Sequence, residues 1–155
     1  MNINHAEKAA ELFAQGYNCA QAVFAAFCDV TGMDTETALL ISSSFGGGIG
    51  RMREICGSCS SMFITAGLLY GYTSPNDDKS KGEHYKRIQE LASEFKSVHG
   101  TIICRELLKT LKVNNSPVPE PRTEHYYKVR PCIRFVRTAA EILDRYIAEH
   151  TIAHT

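Results

Sequence analysis

Twice near its start the chain writes one helix-opening pattern: an asparagine, a glutamate or glutamine three positions on, then apolar residues at helical spacing. Asn4 with Glu7 precedes Ala9, Leu12 and Phe13, and Gly16 stops the run; Asn18 with Gln21 precedes Ala22, Val23, Phe27 and Val30, and Gly32 stops it. An asparagine at the capping position accepts from backbone N–H groups that a helix leaves unpaired, and the residue three positions on returns the bond. The pattern therefore fixes where each helix begins. Asp34 opens a third segment with Ala38, Leu39, Leu40 and Ile41, which runs out in Phe45-Gly46-Gly47-Gly48-Ile49-Gly50. A fourth is expected from near Ile55 to Leu69, although its Ile, Thr, Phe and Tyr content also suits a strand. Lys81 to Val98 places Tyr85, Ile88, Leu91, Ala92 and Phe95 on one helical face, and a shorter segment spans about Ile103 to Leu111. The last begins at Pro131 and turns Ile133, Val136, Ala140, Leu143 and Ile147 inward as far as about His150.

Seven such segments, with no alternating runs joined by a hairpin turn, predict an all-α bundle that forms a single domain over residues 1–155. The one long connection, about 112–129, holds Pro117, Pro119 and Pro121, which exclude regular structure around them. A connection of that length serves as a lid or partner surface, or is disordered. Seventeen basic and seventeen acidic side chains cancel without any run of one sign, so there is no electrostatic footprint for nucleic acid. Small molecules, metals or a partner protein remain. Charged residues occupy the start, Met1 to Lys8, where a leader needs an apolar stretch, and the apolar stretch Met62 to Tyr72 is too short to insert in a membrane. The expected location is cytoplasmic. The richness of Met62 to Leu69 also suggests a homodimer.

A chain of 155 residues, 44% hydrophobic, buries a core without disulfide staples. In a reducing compartment its six cysteines read as metal ligands or reactive thiols. Four open helical segments: Cys19 after Gly16-Tyr17-Asn18, Cys56 after the glycine-rich loop, Cys104 after His99-Gly100, and Cys132 after Pro131. Unpaired N–H groups and the positive end of the helix dipole favour thiolate there. Cys28 falls on an apolar face with Phe24 and Phe27 and reads as core. Cys56-Gly57-Ser58-Cys59 forms a C-x-x-C, which serves either dithiol exchange or two-point chelation. Cys56, flanked by Arg51 and Arg53, is expected to be the most reactive thiol and Cys28 the slowest.

The loop Gly46 to Arg51 follows a helix and lacks a G-K-[ST] ending, so its glycines fit close passage of the backbone past the thiols or another helix better than phosphate binding. His84 and His125 have no partner at ligand spacing, and His99 is expected to cap a helix end. His150 and His154 are expected in solvent. Tyr126-Tyr127 either cover a cofactor or anchor the core.

Gly16-Tyr17-Asn18-Cys19-Ala20-Gln21-Ala22, Phe45 to Met52 leading to Cys56-Gly57, Gly67 to Gly71, Cys104 to Leu108, and Cys132 before Ala139 to Leu143 together resemble a small bacterial and archaeal family. The family is named after its pattern C, G-C-A-x-x-G, C, C, and is described as redox-active. Its four cysteines fall on Cys19, Cys56, Cys104 and Cys132. Where members of the family usually have Cys-Gly-Ala-x-x-Gly, this chain has Cys56-Gly57-Ser58-Cys59-Ser60-Ser61, with serines at the alanine and second glycine and Cys59 added. The family is also similar to the iron-sulfur part of split-Soret cytochromes, which implies a cluster on the four cysteines. By ligand count a two-iron cluster (2Fe-2S) and zinc are equally suitable. No C-x-x-C-H is present to attach haem. Three functions are therefore open: electron transfer with a redox partner protein; metal-free thiol-disulfide exchange in which Cys56 attacks and Cys59 or Cys19 resolves; or a helical interaction module with inert cysteines.

Overall fold

The computed structural model describes residues 3–154; Met1 and Asn2 of the segment read for a leader, and Thr155, lie outside it. Among the described residues there is no strand, and nine α-helices follow in order. They are α1 (His5–Ala14), α2 (Cys19–Ala26), α3 (Cys28–Thr31), α4 (Thr35–Ser42), α5 (Gly57–Tyr70), α6 (Asp78–His99), α7 (Cys104–Leu107), α8 (Glu124–Val129) and α9 (Cys132–Glu149). The all-α expectation holds.

The caps act as the sequence predicts. Asn4 Oδ1 accepts from the Glu7 N–H at 3.1 Å, and Asn18 and Gln21 exchange both bonds of a capping box at 2.9 and 3.2 Å. The segment expected to reach Leu111 ends as α7 at Leu107, and two further boundaries differ for local reasons. The segment after Asn18 breaks at Phe27, whose φ of −99° and ψ of 16° leave helical geometry, so Cys28 opens α3 and does not lie in mid-helix. The loop 112–129 contains one helix that sequence reading omits, α8, capped by Thr123 accepting from the Tyr126 N–H at 3.1 Å and lying beyond the last of the prolines.

The ambiguous segment, α5, is a helix because it is the central element. Cys59, Met62, Thr65, Ala66 and Leu69 are essentially inaccessible. It packs against α2, α6 and α9, while α1 lies across α2 and α9. A helix apolar on most sides carries little amphipathic signal, which is why its composition imitates a buried strand. Most of its apolar surface is absorbed inside the chain, while Leu68 stays exposed. Small side chains on α2, including Ala20, Ala22, Ala25 and Ala26, let α2 approach α5 closely, and the Ser61 hydroxyl donates to the Ala20 carbonyl at 2.6 Å across that contact. Among the described residues no helix is long and apolar enough to cross a membrane.

Candidate functional site

Four chain entries meet at one end of the bundle. Cys19 is the first residue of α2, Cys104 of α7 and Cys132 of α9, and Cys56 caps α5. A single antiparallel bridge between Ile55 and Ile103 aligns two of these entries. Across it the Cys56 N–H donates to the Ile102 carbonyl at 2.8 Å and the Cys104 N–H to the Glu54 carbonyl at 2.6 Å, so the two cysteines leave adjacent backbones. All four line one chamber of about 60 Å³, with Phe13, Leu108 and Phe135 as apolar wall and Arg53, Arg122 and Arg130 as cations.

Glycines make room for the sulfurs. A Cβ on Gly57 would stand 2.7 Å from Cys19 Sγ, and one on Gly48 would stand 2.7 Å from Cys104 Cβ. Gly47 and Gly48 belong to a left-handed turn that also holds Ile49 at φ 65° and Arg51 at φ 66°. Side chains rarely adopt that conformation, at a cost of roughly 1–2 kcal/mol per residue. The glycine-rich loop thus passes close by the thiols, as its sequence suggests, and the Gly47 N–H hydrogen-bonds to Cys19.

The expectation of a depressed Cys56 pKa is overturned. Hydrogen bonds link the Cys19 thiol to Cys56 and the Cys56 thiol to Cys59. The bond to Cys56 is the chief reason that Cys19 is raised well above its ordinary value, with burial and the Cys56 charge adding to it. Cys56 gains from its bond with Cys19, but the Cys59 thiol and full burial outweigh that and push it up. Burial raises Cys104 despite Arg53, whose Nη1 lies 3.9 Å from the sulfur, and pushes Cys132 up to about 12. Arg51 does not serve Cys56: it donates to the Ser116 carbonyl at 2.7 Å and pairs with Glu120. Even with three arginines on its wall the chamber favours neutral thiols, because each ionisation is resisted by burial and by neighbouring sulfur.

Cys59 lies in the core behind Cys56 and not on the chamber wall, and Cys28, half-buried at the start of α3, is elsewhere. Among the described residues no three His, Cys, Asp or Glu side chains are gathered closely enough to hold one metal ion. The thiols stand around the chamber and do not converge on a point.

Residues 17–146 match the sequence model of the family described as "Putative redox-active protein (C_GCAxxG_C_C)". The chain belongs to that family. No curated protein and no solved structure matches it. The four cysteines that the resemblance assigns to that pattern, Cys19, Cys56, Cys104 and Cys132, are those that line the chamber. Its departures are accommodated differently: Ser61 keeps the α2–α5 contact through its bond to Ala20, whereas the buried Ser58 Oγ has no partner.

Several residues have roles that single-sequence reading misses. Arg122 stacks over Phe13 and Tyr126 at 4.5 and 4.8 Å and donates to the Phe13 and Tyr17 carbonyls at the end of α1, which anchors the long loop beside the thiols. Tyr126 lines the chamber, and Tyr127 packs edge-on against Phe13. His99 packs on Phe95 and Phe135 and hydrogen-bonds to Thr138 at 2.8 Å, away from the chamber. The two C-terminal histidines are tied down: His150 stacks on Tyr146, and His154 Nε2 meets the Gly71 carbonyl at 2.6 Å. Only spacing to a distant partner could have announced these, and one sequence carries no such signal.

Proposed function

We propose that this family member is an electron-transfer protein whose centre is a two-iron, two-sulfide cluster held by Cys19, Cys56, Cys104 and Cys132, exchanging electrons with a partner protein. One observation carries the reading: four thiols from four separate chain entries line a single small chamber. The donor set suits iron and sulfide by chemistry, and Gly48 and Gly57 let the backbone pass against Cys104 and Cys19 without crowding them. Thiols spread around a wall favour a polynuclear centre over a single zinc ion. When bound, such a cluster supplies reversible one-electron transfer. The chain's own part is electrostatic. Arg53 faces Cys104, the Gly47 and Ala20 N–H groups face Cys19, and Phe13, Leu108 and Phe135 limit water at the sulfurs. Donors and cations of this kind favour negative charge on the sulfurs, whereas burial opposes it, and their balance sets a redox potential.

A second reading is favoured by the hydrogen bonds linking Cys19, Cys56 and Cys59. Two of these thiols would lose two electrons and two protons to a disulfide substrate, becoming a disulfide while the substrate becomes two thiols. Purification without oxygen and without a histidine tag separates the readings. Iron and acid-labile sulfide in equal amounts, with visible absorbance lost in Cys104→Ser and kept in Cys28→Ser, is the expected result. Protein that remains free of iron after anaerobic reconstitution, yet reversibly forms a Cys19–Cys56 or Cys56–Cys59 disulfide, would replace the first reading with the second.

A further inference from the structure

Outside the thiol chamber, and sharing Arg53, Arg122 and Arg130 with its wall, lies a wider cleft of about 410 Å³. Arg51 is the fourth arginine on it, and Glu120 is its only acidic residue. Glu120 answers two of the four: it pairs with Arg51 at 3.4 Å and with Arg130. Those two side chains are only 14% and 7% exposed, whereas Glu120, in the proline-flanked strap after Pro119, is 37% exposed. Arg53 and Arg122 donate to neutral carbonyls, of Asn114 at 2.9 Å and of Phe13 and Tyr17 at 3.2 and 3.1 Å, and among the described residues neither joins an ion pair.

The cleft therefore carries a surplus of fixed, weakly hydrated positive charge. Side chains with few rotameric choices left and planar N–H forks hold that charge in place. Buried cations without counterions are costly, and the one counterion present sits on a strap that water can reach. We propose that the cleft binds a small oxyanion, a carboxylate or phosphate, which takes the place of Glu120 between Arg51 and Arg130. Glu120 is then an internal stand-in for the ligand, and the strap turns outward when the ligand enters. The bound anion would lie against the arginines that also wall the thiol chamber. The inference holds whether the thiols carry a cluster or form disulfides.

Calorimetric titration of the full chain as purified, with sodium phosphate in one arm and sodium succinate in the other at ionic strength fixed with sodium chloride, tests it. Saturable binding in at least one arm is expected, and the arm that binds distinguishes phosphate from carboxylate. Glu120→Gln removes the competitor and should tighten binding about tenfold. Arg51→Gly should weaken it at least about tenfold, and because residue 51 sits at φ 66° the glycine suits its backbone. The proposal is overturned if neither salt gives saturable heat with wild type or Glu120→Gln, if Glu120→Gln binds no tighter than wild type, or if a folded Arg51→Gly, checked by circular dichroism, binds as wild type does. Should Arg51→Gly not fold, the Glu120→Gln comparison decides alone. Arginines present only to balance thiolate charge would give the first of these negative outcomes.

Discussion

Ser58 carries a hydroxyl that is fully buried and unpartnered, one helical position after Gly57. An unsatisfied buried donor costs about 1–3 kcal/mol, so Ser58→Ala is expected to stabilise the protein by at least about 1 kcal/mol. The check is a urea transition with a higher midpoint at unchanged slope; a lower midpoint would mean that the hydroxyl has a partner after all. Gly57→Ala should act in the opposite direction, because the added methyl meets both Cys19 Sγ and the Phe45 carbonyl at 2.7 Å. Overpacking of this kind costs about 1–3 kcal/mol, and the urea midpoint should fall accordingly. For alkylation of reduced, metal-free protein, the half-buried Cys28 should label before the buried Cys56, reversing the order that helix starts alone suggest. Timed labelling with mass mapping decides, and faster labelling of Cys56 would restore the dipole argument. The helix-start signal was legible but insufficient: Cys28 opens α3 as surely as Cys104 opens α7, and only tertiary placement separates them.

The elements α1, α3 and α9 are pinned together by one residue that sequence reading passed over. His5 Nδ1 lies 2.5 Å from Asp144 Oδ1, and Nε2 lies 3.1 Å from Asp29 Oδ2, an arrangement that only the doubly protonated ring satisfies. Burial works to lower its pKa, but the bonds to Asp144 and Asp29 prevail and raise it above the ordinary 6.5. A raised value in the folded state means that the folded state binds the proton more tightly. The clamp's contribution is therefore complete below pH 6.5 and is lost as pH rises through the folded value. Melting temperature should fall as pH rises from 6.5 through the folded value, and Asp144→Asn should flatten the fall. A wild-type melting temperature that does not change over that range would remove the clamp from the list of stabilising contacts. The amphipathic helices α6 and α9 and their stops were legible because period and punctuation agree, whereas the His5 clamp joins residues from opposite ends of the chain. The identity of α5 as a helix was masked for the opposite reason, since burial on most of its sides weakens the periodicity on which such a reading depends.

At the scale of the whole molecule, the family pattern named the four cysteines, and the fold brings them to one chamber. What the sequence does not contain is the shell: Arg122 with its aromatic neighbours, the Glu120 strap, and the bridge that sets Cys56 beside Cys104. The buried state of Cys56 and Cys104 depends on elements from both ends of the chain, α1 and α2 on one side and α9 on the other. Arg122 and Tyr126 of the long loop complete the wall, so both the bundle and the loop shield these thiols. Their exchange with a bulky thiol reagent then follows the opening of either shield, so the labelling rate becomes a clock for that opening. Cys132, the last of the four in chain order, opens α9, so in a chain emerging from synthesis the set stays incomplete until that turn has been made.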